Sequence, residues 1–451
     1  MADDATGGPP RAVYHFTTIN NLPSIFKHGL LAKSELARQG LDGVSLAWDA
    51  LNRHRSDTTL PLEPGGSADD YVPLYFSKLS PMLLMILYNK TVDEEDIVHI
   101  EFPLQAVFHF AGLFTDAAIF PGSVPRYYTG PSALSWLDWP TVDSTAWRMP
   151  SYQARLARMA EFLVWQRLPL SAARRISVWD ADKARQVEHL AAQAGLGSLP
   201  VVVDPGHYFI EPGSVPPVPA VLGPHEVRQV YQQTVSAITL ALSAPRKKPR
   251  FSTLEDLRQA LSKDLSCLPE TAELIGLDTD NRAHIEDVGS HTRRVVDQAS
   301  QTSEFQRLDR HLRLVLEVAA FLHDTGKGPK SRWAAYNGRQ QIDFNHPVKA
   351  LPMLQRILSQ EIERLSPEDC RLICMLVAYH DLIGGVIFSG RRLEELLELV
   401  QSPEELDLLA ALSKADALAI NPDWGEPEPR DALKARVCVI KGWPGENSPG
   451  I

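Results

Sequence analysis

The stretch Arg155-Leu-Ala-Arg-Met-Ala-Glu-Phe-Leu-Val-Trp165 sets one carboxylate, Glu161, at the head of an apolar run, Phe162-Leu163-Val164-Trp165. A β-branched and aromatic run of that length, closed by Gln166-Arg167-Leu168-Pro169, predicts a buried strand. An unpaired carboxylate in such a place costs several kcal/mol. Its plain account is an ion pair with Arg155 or Arg158; the alternative is a catalytic acid. What lies upstream decides between them.

Tyr14-His15-Phe16-Thr17-Thr18-Ile19 alternates as a strand does, and the segment from Asn20 to Leu31 has a capping Asn, an apolar stripe and a closing Gly29. That combination predicts a short helix. Leu51-Asn-Arg-His-Arg-Ser56 is a basic helical turn, followed by a Pro/Gly-rich loop from Pro61 to Gly66. Asp70-Tyr-Val-Pro-Leu-Tyr-Phe76 reads as an aromatic strand, and Ser80-Pro81 opens the next helix, Pro being favoured at a first helical position.

With 451 residues the chain exceeds one ordinary core, and two domains are expected. The composition, 44% apolar and 22% charged, is that of a globular protein. No apolar run is long enough to span a bilayer, and Met1-Ala-Asp-Asp-Ala lacks the basic start of a signal peptide. Cys267, Cys370, Cys374 and Cys438 are too few for a disulfide framework, and a cytoplasmic location is expected. The net charge of −11 excludes an extended nucleic-acid-coating surface but leaves room for a local basic groove.

Several blocks together carry a resemblance: Tyr-His-Phe-Thr, Asn-Leu-Pro-Ser-Ile and Gly-Leu, Asp-Tyr-Val-Pro-Leu-Tyr-Phe with Ser-Pro-Met-Leu, then Ala-Glu-Phe-Leu-Val. In this order, from about Val13 to about Ile176, they resemble the DarT family, toxin-type enzymes that ADP-ribosylate bases in DNA. The resemblance implies an α+β ADP-ribosyltransferase-type fold, two small packed sheets clamping NAD. It implies Glu161 as catalytic glutamate and Arg55, rather than Arg53, as the essential arginine. Further, it implies NAD contacts at His15, Asn21, Tyr71, Tyr75 and Met82, and DNA, expected single-stranded, as partner. The types suit the chemistry, since nicotinamide leaves through an oxocarbenium-like state that a carboxylate stabilises. Arg55 is suited either to steady the pyrophosphate or to help deprotonate the acceptor base.

Residues 111–150 match the family's substrate loop in position, but Ala117 follows Thr115-Asp116 where the family tends to have Gly. Trp136 and Trp139 there are suited either to stacking a splayed base or to anchoring the loop. Residues 211–224 are Pro-rich and predict an extended linker, His225 to Ser243 a helix, and Ala244-Pro-Arg-Lys-Lys-Pro-Arg250 a basic turn.

Beyond Phe251 the apolar spacing turns helical, and metal-ligand types stand at segment ends: His291, His323-Asp324, His346, His380 and Asp416. Such N/O donors suit one or two divalent metals, with Asp324 able to bridge. From about His284 to Asp416 the order is similar to the two-metal branch of the HD phosphohydrolase superfamily, an all-α domain. His284-Ile-Glu-Asp-Val and Phe344-Asn-His-Pro resemble HD domains attached to tRNA nucleotidyltransferases. The resemblance implies a first metal site of His291, His323, Asp324 and Asp416, a second completed by His346 and His380, and Lys327 as phosphate contact.

The expected organisation is a transferase domain at 1–210, a linker and connecting helix at 211–250, and an HD domain at 251–440. It describes a toxin or phage-defence effector, with a separate antitoxin or ADP-ribosyl-removing protein as possible partner. Two other readings are a phosphodiesterase or nucleotidase whose first half only senses NAD, and a binding module with both sites inert.

Overall fold

A computed structural model describes residues 11–47, 49–197, 199–244, 248–280, 286–425 and 427–444. The chain forms two compact units that divide between Gly223 and Pro224.

Among the described residues the first unit has ten strands: β1 Ala12–Thr18, β2 Leu30–Leu31, β3 Tyr71–Tyr75, β4 Ile97–Pro103, β5 Gly112–Thr115, β6 Tyr127–Tyr128, β7 Glu161–Trp165, β8 Arg167–Leu168, β9 Arg175–Val178 and β10 Val201–Val203. Eight of them make one mixed sheet in the order β10-β9-β4-β1-β3-β7-β5-β6, and β2 pairs with β8 in a small second sheet. The expectation of two small packed sheets is therefore corrected to one wide sheet with a two-stranded companion. What joins its halves is the single rung Tyr14↔Tyr75 between β1 and β3. In contrast, β1 pairs with β4 along its whole length, from Ala12↔Pro103 to Thr18↔Ile97. The β1–β3 ladder stops because Phe16 next faces Pro73, which has no N–H to donate.

Alternation along the strands separates two faces. Val72, Leu74, Phe162 and Val164 point into the larger core with Val13, Ile100, Phe102 and Ile176. Tyr71 and Leu163 point the other way, into a smaller cluster with Leu60, Leu113 and Ile119. Gly112 permits the close approach of β5 to β7, since a Cβ there would fall 2.3 Å from the Leu163 carbonyl oxygen. Gly29 ends the helix Leu22–His28 at φ 78°, as the closing glycine predicted.

The second unit is helical. The helix Val288–Gln301 packs against Pro403–Ile420 and Arg310–Leu322, which in turn packs against Pro367–Tyr379. The helix Pro224–Leu242, expected as a connector, packs on Pro367–Tyr379 as part of this unit. The Pro-rich segment before it is no extended linker: it folds back within the first unit, Glu211 N–H donating to the Val218 carbonyl (2.9 Å) beside an Ile210↔Pro219 bridge. His284 lies outside the described residues, as do Arg246 and Lys247 of the basic turn. Among the described residues no single helix is long and apolar enough to cross a membrane.

Candidate functional site

Glu161 opens β7, and the β3–β7 register sets it opposite Tyr75. Its side chain is 2% exposed, and three bonds meet it: Arg55 Nη1 donates to both carboxylate oxygens (3.1 and 2.9 Å), and the Ile119 N–H donates to Oε1 (3.0 Å). Neither neighbour in sequence is the partner. Arg158 is buried and donates to the carbonyls of Leu79 (2.8 Å) and Ala146, while Arg155 lies over the Tyr152 ring. Arg55 comes instead from the basic helix Asp49–Asp57.

Arg55 keeps a second nitrogen, Nη2, buried and without a hydrogen-bond partner among the described residues. Burial opposes its charge, but Glu161 and then Tyr75 outweigh that and raise its pKa. The Tyr75 phenol is pushed up by burial first and Glu161 second, and its ring stacks on Phe16 at 5.3 Å. Two further supports have no signal in the sequence. Thr115 Oγ1 accepts from the Glu161 N–H (3.2 Å), and Ile119 contributes only backbone. Tyr127, half-buried opposite Thr115, has its phenol pKa raised by burial and by Glu161.

The remaining residues implied for NAD occupy distinct positions. His15 Nδ1 donates to the Pro73 carbonyl (3.0 Å), across the place where the β1–β3 ladder stops. That bond makes Nδ1 the protonated nitrogen, and burial outweighs its effect and lowers the pKa, leaving a neutral ring with Nε2 as acceptor. Asn21 is a brace: its amide donates to Thr17 Oγ1 (2.9 Å) and the Val44 carbonyl (3.0 Å), and accepts from the Val44 N–H (2.8 Å). Tyr71 shares the sheet face of Glu161 and donates to the Gly65 carbonyl (2.7 Å). Met82 is buried in the first turn of Pro81–Tyr88, where its N–H is capped by Ser80 Oγ (3.2 Å).

Of the two loop tryptophans, Trp139 is an anchor, its indole N–H donating to the Leu134 carbonyl (3.0 Å) and its ring covered by Arg11. Trp136 is 65% exposed.

The second unit gathers the other set. His291 Nε2 lies 2.8 Å from Asp416 Oδ1 and 3.8 Å from Asp324 Oδ2, and His323 Nε2 lies 3.4 Å from Asp324 Oδ2. His346 Nε2 lies 3.3 Å from Asp324 Oδ1 and 3.2 Å from His380 Nε2. Each of three rings is aimed by a carbonyl three residues earlier: His323 Nδ1 to Ala320 (2.8 Å), His346 Nδ1 to Asp343 (2.7 Å) and His380 Nδ1 to Val377 (2.9 Å). Their Nε2 atoms therefore face inward, the arrangement of metal-ligating histidines. Against burial, Asp324 and then Asp416 raise the His323 pKa to about 10. Lys327 Nζ contacts Asp324 Oδ2 at 2.7 Å, so here it pairs with that buried carboxylate. Asp381, absent from the expected set, joins His380 and Asp416 in a third group of donors.

Residues 14–210 match the family described as DarT, ssDNA thymidine ADP-ribosyltransferase. A protein of Thermus sp. (strain 2.9), named DNA ADP-ribosyl transferase, is 33% identical over 191 residues, covering 41% of this chain and 88% of that one. One of Escherichia coli O127:H6 (strain E2348/69 / EPEC), with the same name, is 29% identical over 214 residues, covering 46% and 97%. Among solved structures, Thermus sp. 2.9 DarT in complex with ADP-ribosylated ssDNA covers 44% of this chain and 97% of its own, at 28% identity and TM-score 0.41. The same protein in complex with NAD+ covers 45% and 99%, at 28% identity and TM-score 0.40.

Proposed function

The chain belongs to the DarT family, and from that premise we propose that its first unit transfers ADP-ribose from NAD to a nucleobase of DNA, single-stranded DNA being the expected acceptor. The observation that carries this is the clamped carboxylate of Glu161, held by Arg55 and the Ile119 N–H. In the transfer the bond from the ribose anomeric carbon to nicotinamide breaks, with the electron pair leaving on nicotinamide. A ring nitrogen or exocyclic amine of the base then bonds to that carbon and loses a proton. Glu161 stabilises the positive charge that develops on the ribose. Arg55 holds Glu161 in place and keeps Nη2 for the pyrophosphate or for the acceptor base. Neutral His15, with Nε2 as acceptor, and Tyr75 are the other groups assigned to NAD.

The test is incubation with NAD and short single-stranded oligomers of mixed sequence, with product masses as readout. A gain of one ADP-ribosyl unit that is absent in Glu161→Gln supports the proposal. No gain on any oligomer sinks it. A role as toxin or phage-defence effector, with a separate protein that removes the adduct, is part of the same proposal and follows only if the transfer is observed.

For the second unit a metal-dependent phosphohydrolase of the HD type is proposed, on one observation. The Nε2 atoms of His346 and His380 face each other at 3.2 Å, while both Nδ1 atoms are spent on carbonyls. Together with Asp324 Oδ1 they bring three lone-pair donors to one point, their atoms all within 4.8 Å. A proton satisfies one pair of such donors, whereas a divalent cation satisfies all three. His291, His323, Asp324 and Asp416 would hold a first ion, and Asp324, His346 and His380 a second. Divalent ions there would acidify a water and offset phosphoryl charge. Lys327, once released from Asp324, would be free to meet a phosphate. Metal-dependent hydrolysis of a phosphodiester or nucleotide panel, lost in Asp324→Ala, is the expected result; metal-independent hydrolysis, or none, overturns it.

A further inference from the structure

Asp381 stands outside the ligand pattern read from the sequence, yet its Oδ1 lies 3.4 Å from His380 Nε2. It belongs to a group with His380 and Asp416 whose donor atoms all fall within 4.8 Å, a group that shares His380 with the set Asp324, His346 and His380. His380 cannot serve two ions. Its Nδ1 donates to the Val377 carbonyl at 2.9 Å, so a single lone pair remains on Nε2. The approach of His346 Nε2 to 3.2 Å commits that lone pair to the point shared with Asp324. Asp416, for its part, already lies 2.8 Å from His291. An ion at the group with Asp381 would compete for the one His380 lone pair, and that places the Asp381 carboxylate beside the second position.

We propose that Asp381 is a further protein ligand of the second ion, alongside Asp324, His346 and His380. The inference rests on the metal-centre reading of the second unit. Among the described residues Asp381 precedes the short helix Leu382–Gly384 but makes no side-chain cap for it. Its side chain is 47% exposed, against 1% for His380 and Asp324, so it marks the side on which the centre opens to solvent. Two imidazoles and two carboxylates form a donor set harder than that of a structural zinc site and suited to Mn²⁺ or Fe²⁺.

The full chain, dialysed to equilibrium against a series of Mn²⁺ concentrations, reports bound metal by atomic emission. Wild type is expected to take up two ions. Asp381→Ala is expected to keep the tighter ion and bind the second roughly tenfold or more weakly, in line with what loss of a supporting ligand group does. Asp381→Glu is expected to recover most of that loss, and melting of both variants without metal should match wild type, since the side chain is half in solvent. Two ions bound equally well by Asp381→Ala would overturn the proposal alone. A wild type that binds one ion at most overturns it too, and one that binds none removes the metal-centre reading as well.

Discussion

Arg55 Nη1 lies 3.1 and 2.9 Å from the two carboxylate oxygens of Glu161, although the residues are 106 positions apart in sequence. The carboxylate is thus oriented before any ligand arrives. Glu161→Gln keeps the shape and removes the charge, and ADP-ribosyl transfer is expected to fall by about 10²–10³-fold. Arg55→Lys keeps a charge but not the planar fork, and is expected to lose about tenfold or more in the same assay. Transfer at the wild-type rate in Glu161→Gln would remove Glu161 from the chemistry.

Asn21 ties Thr17 on β1 to Val44, in the segment that leads into the helix carrying Arg55. Asn21→Ala removes three hydrogen bonds at a part-buried site and is expected to destabilise the first unit by about 1–3 kcal/mol. Because the loosened segment feeds the Arg55 helix, transfer should fall as well. A denaturant midpoint and rate both unchanged would show the brace to be idle.

His99 on β4 and His207 have ring centroids 5.1 Å apart; neither His99 ring nitrogen has a hydrogen-bond partner among the described residues, and His207 Nδ1 lies 3.1 Å from Asp204 Oδ2. Burial, only partly offset by Asp204, lowers the His207 pKa from 6.5 to about 4. Above the unfolded value both states are neutral and the residue contributes no pH dependence. As pH falls from 6.5 towards 4, the unfolded chain takes up a proton that the folded chain refuses, so stability is lost across that window and levels off below it. The loss from His207 is about 3 kcal/mol at most. Burial lowers His99 in the same direction. His207→Gln should therefore flatten the fall in melting temperature between pH 6.5 and 4; an unchanged slope would count against this account.

Removal of divalent metal from the full chain is expected to lower the melting temperature of the helical unit. Mn²⁺ restored at about 100 times its dissociation constant should return about 2.7 kcal/mol per site. His346→Ala should show a smaller return than wild type, since it withdraws a donor from the second position. Equal returns in the two proteins would place any bound metal elsewhere.

Glu161 and the His323-Asp324 pair were visible in the sequence because each puts charge at the end of an apolar run, where burial demands a reason. Arg55 could be picked only as a type and a spacing; its contact with Glu161 depends on a helix laid against the sheet over a long sequence separation. Ile119 left no mark, since it works through its N–H, and Asp381 was hidden by its neighbour His380. The helix from Pro224 to Leu242 was plain in its periodicity, whereas its place in the second unit required packing partners. The width of the sheet was beyond reading, because it turns on the single rung Tyr14↔Tyr75, and register is a tertiary property.

His323 and His380 each cap the C-terminal end of a helix, Arg310–Leu322 and Pro367–Tyr379, and each takes its aim from a carbonyl in that helix's last turn. Ala320–His323 and Val377–His380 are thus four-residue cassettes in which the donor travels with the group that points it. The spacing of these donors is indexed by helix length. Substitutions along either helix shift donor and aim together, but one inserted residue would swing the imidazole by about 100° around the helix axis.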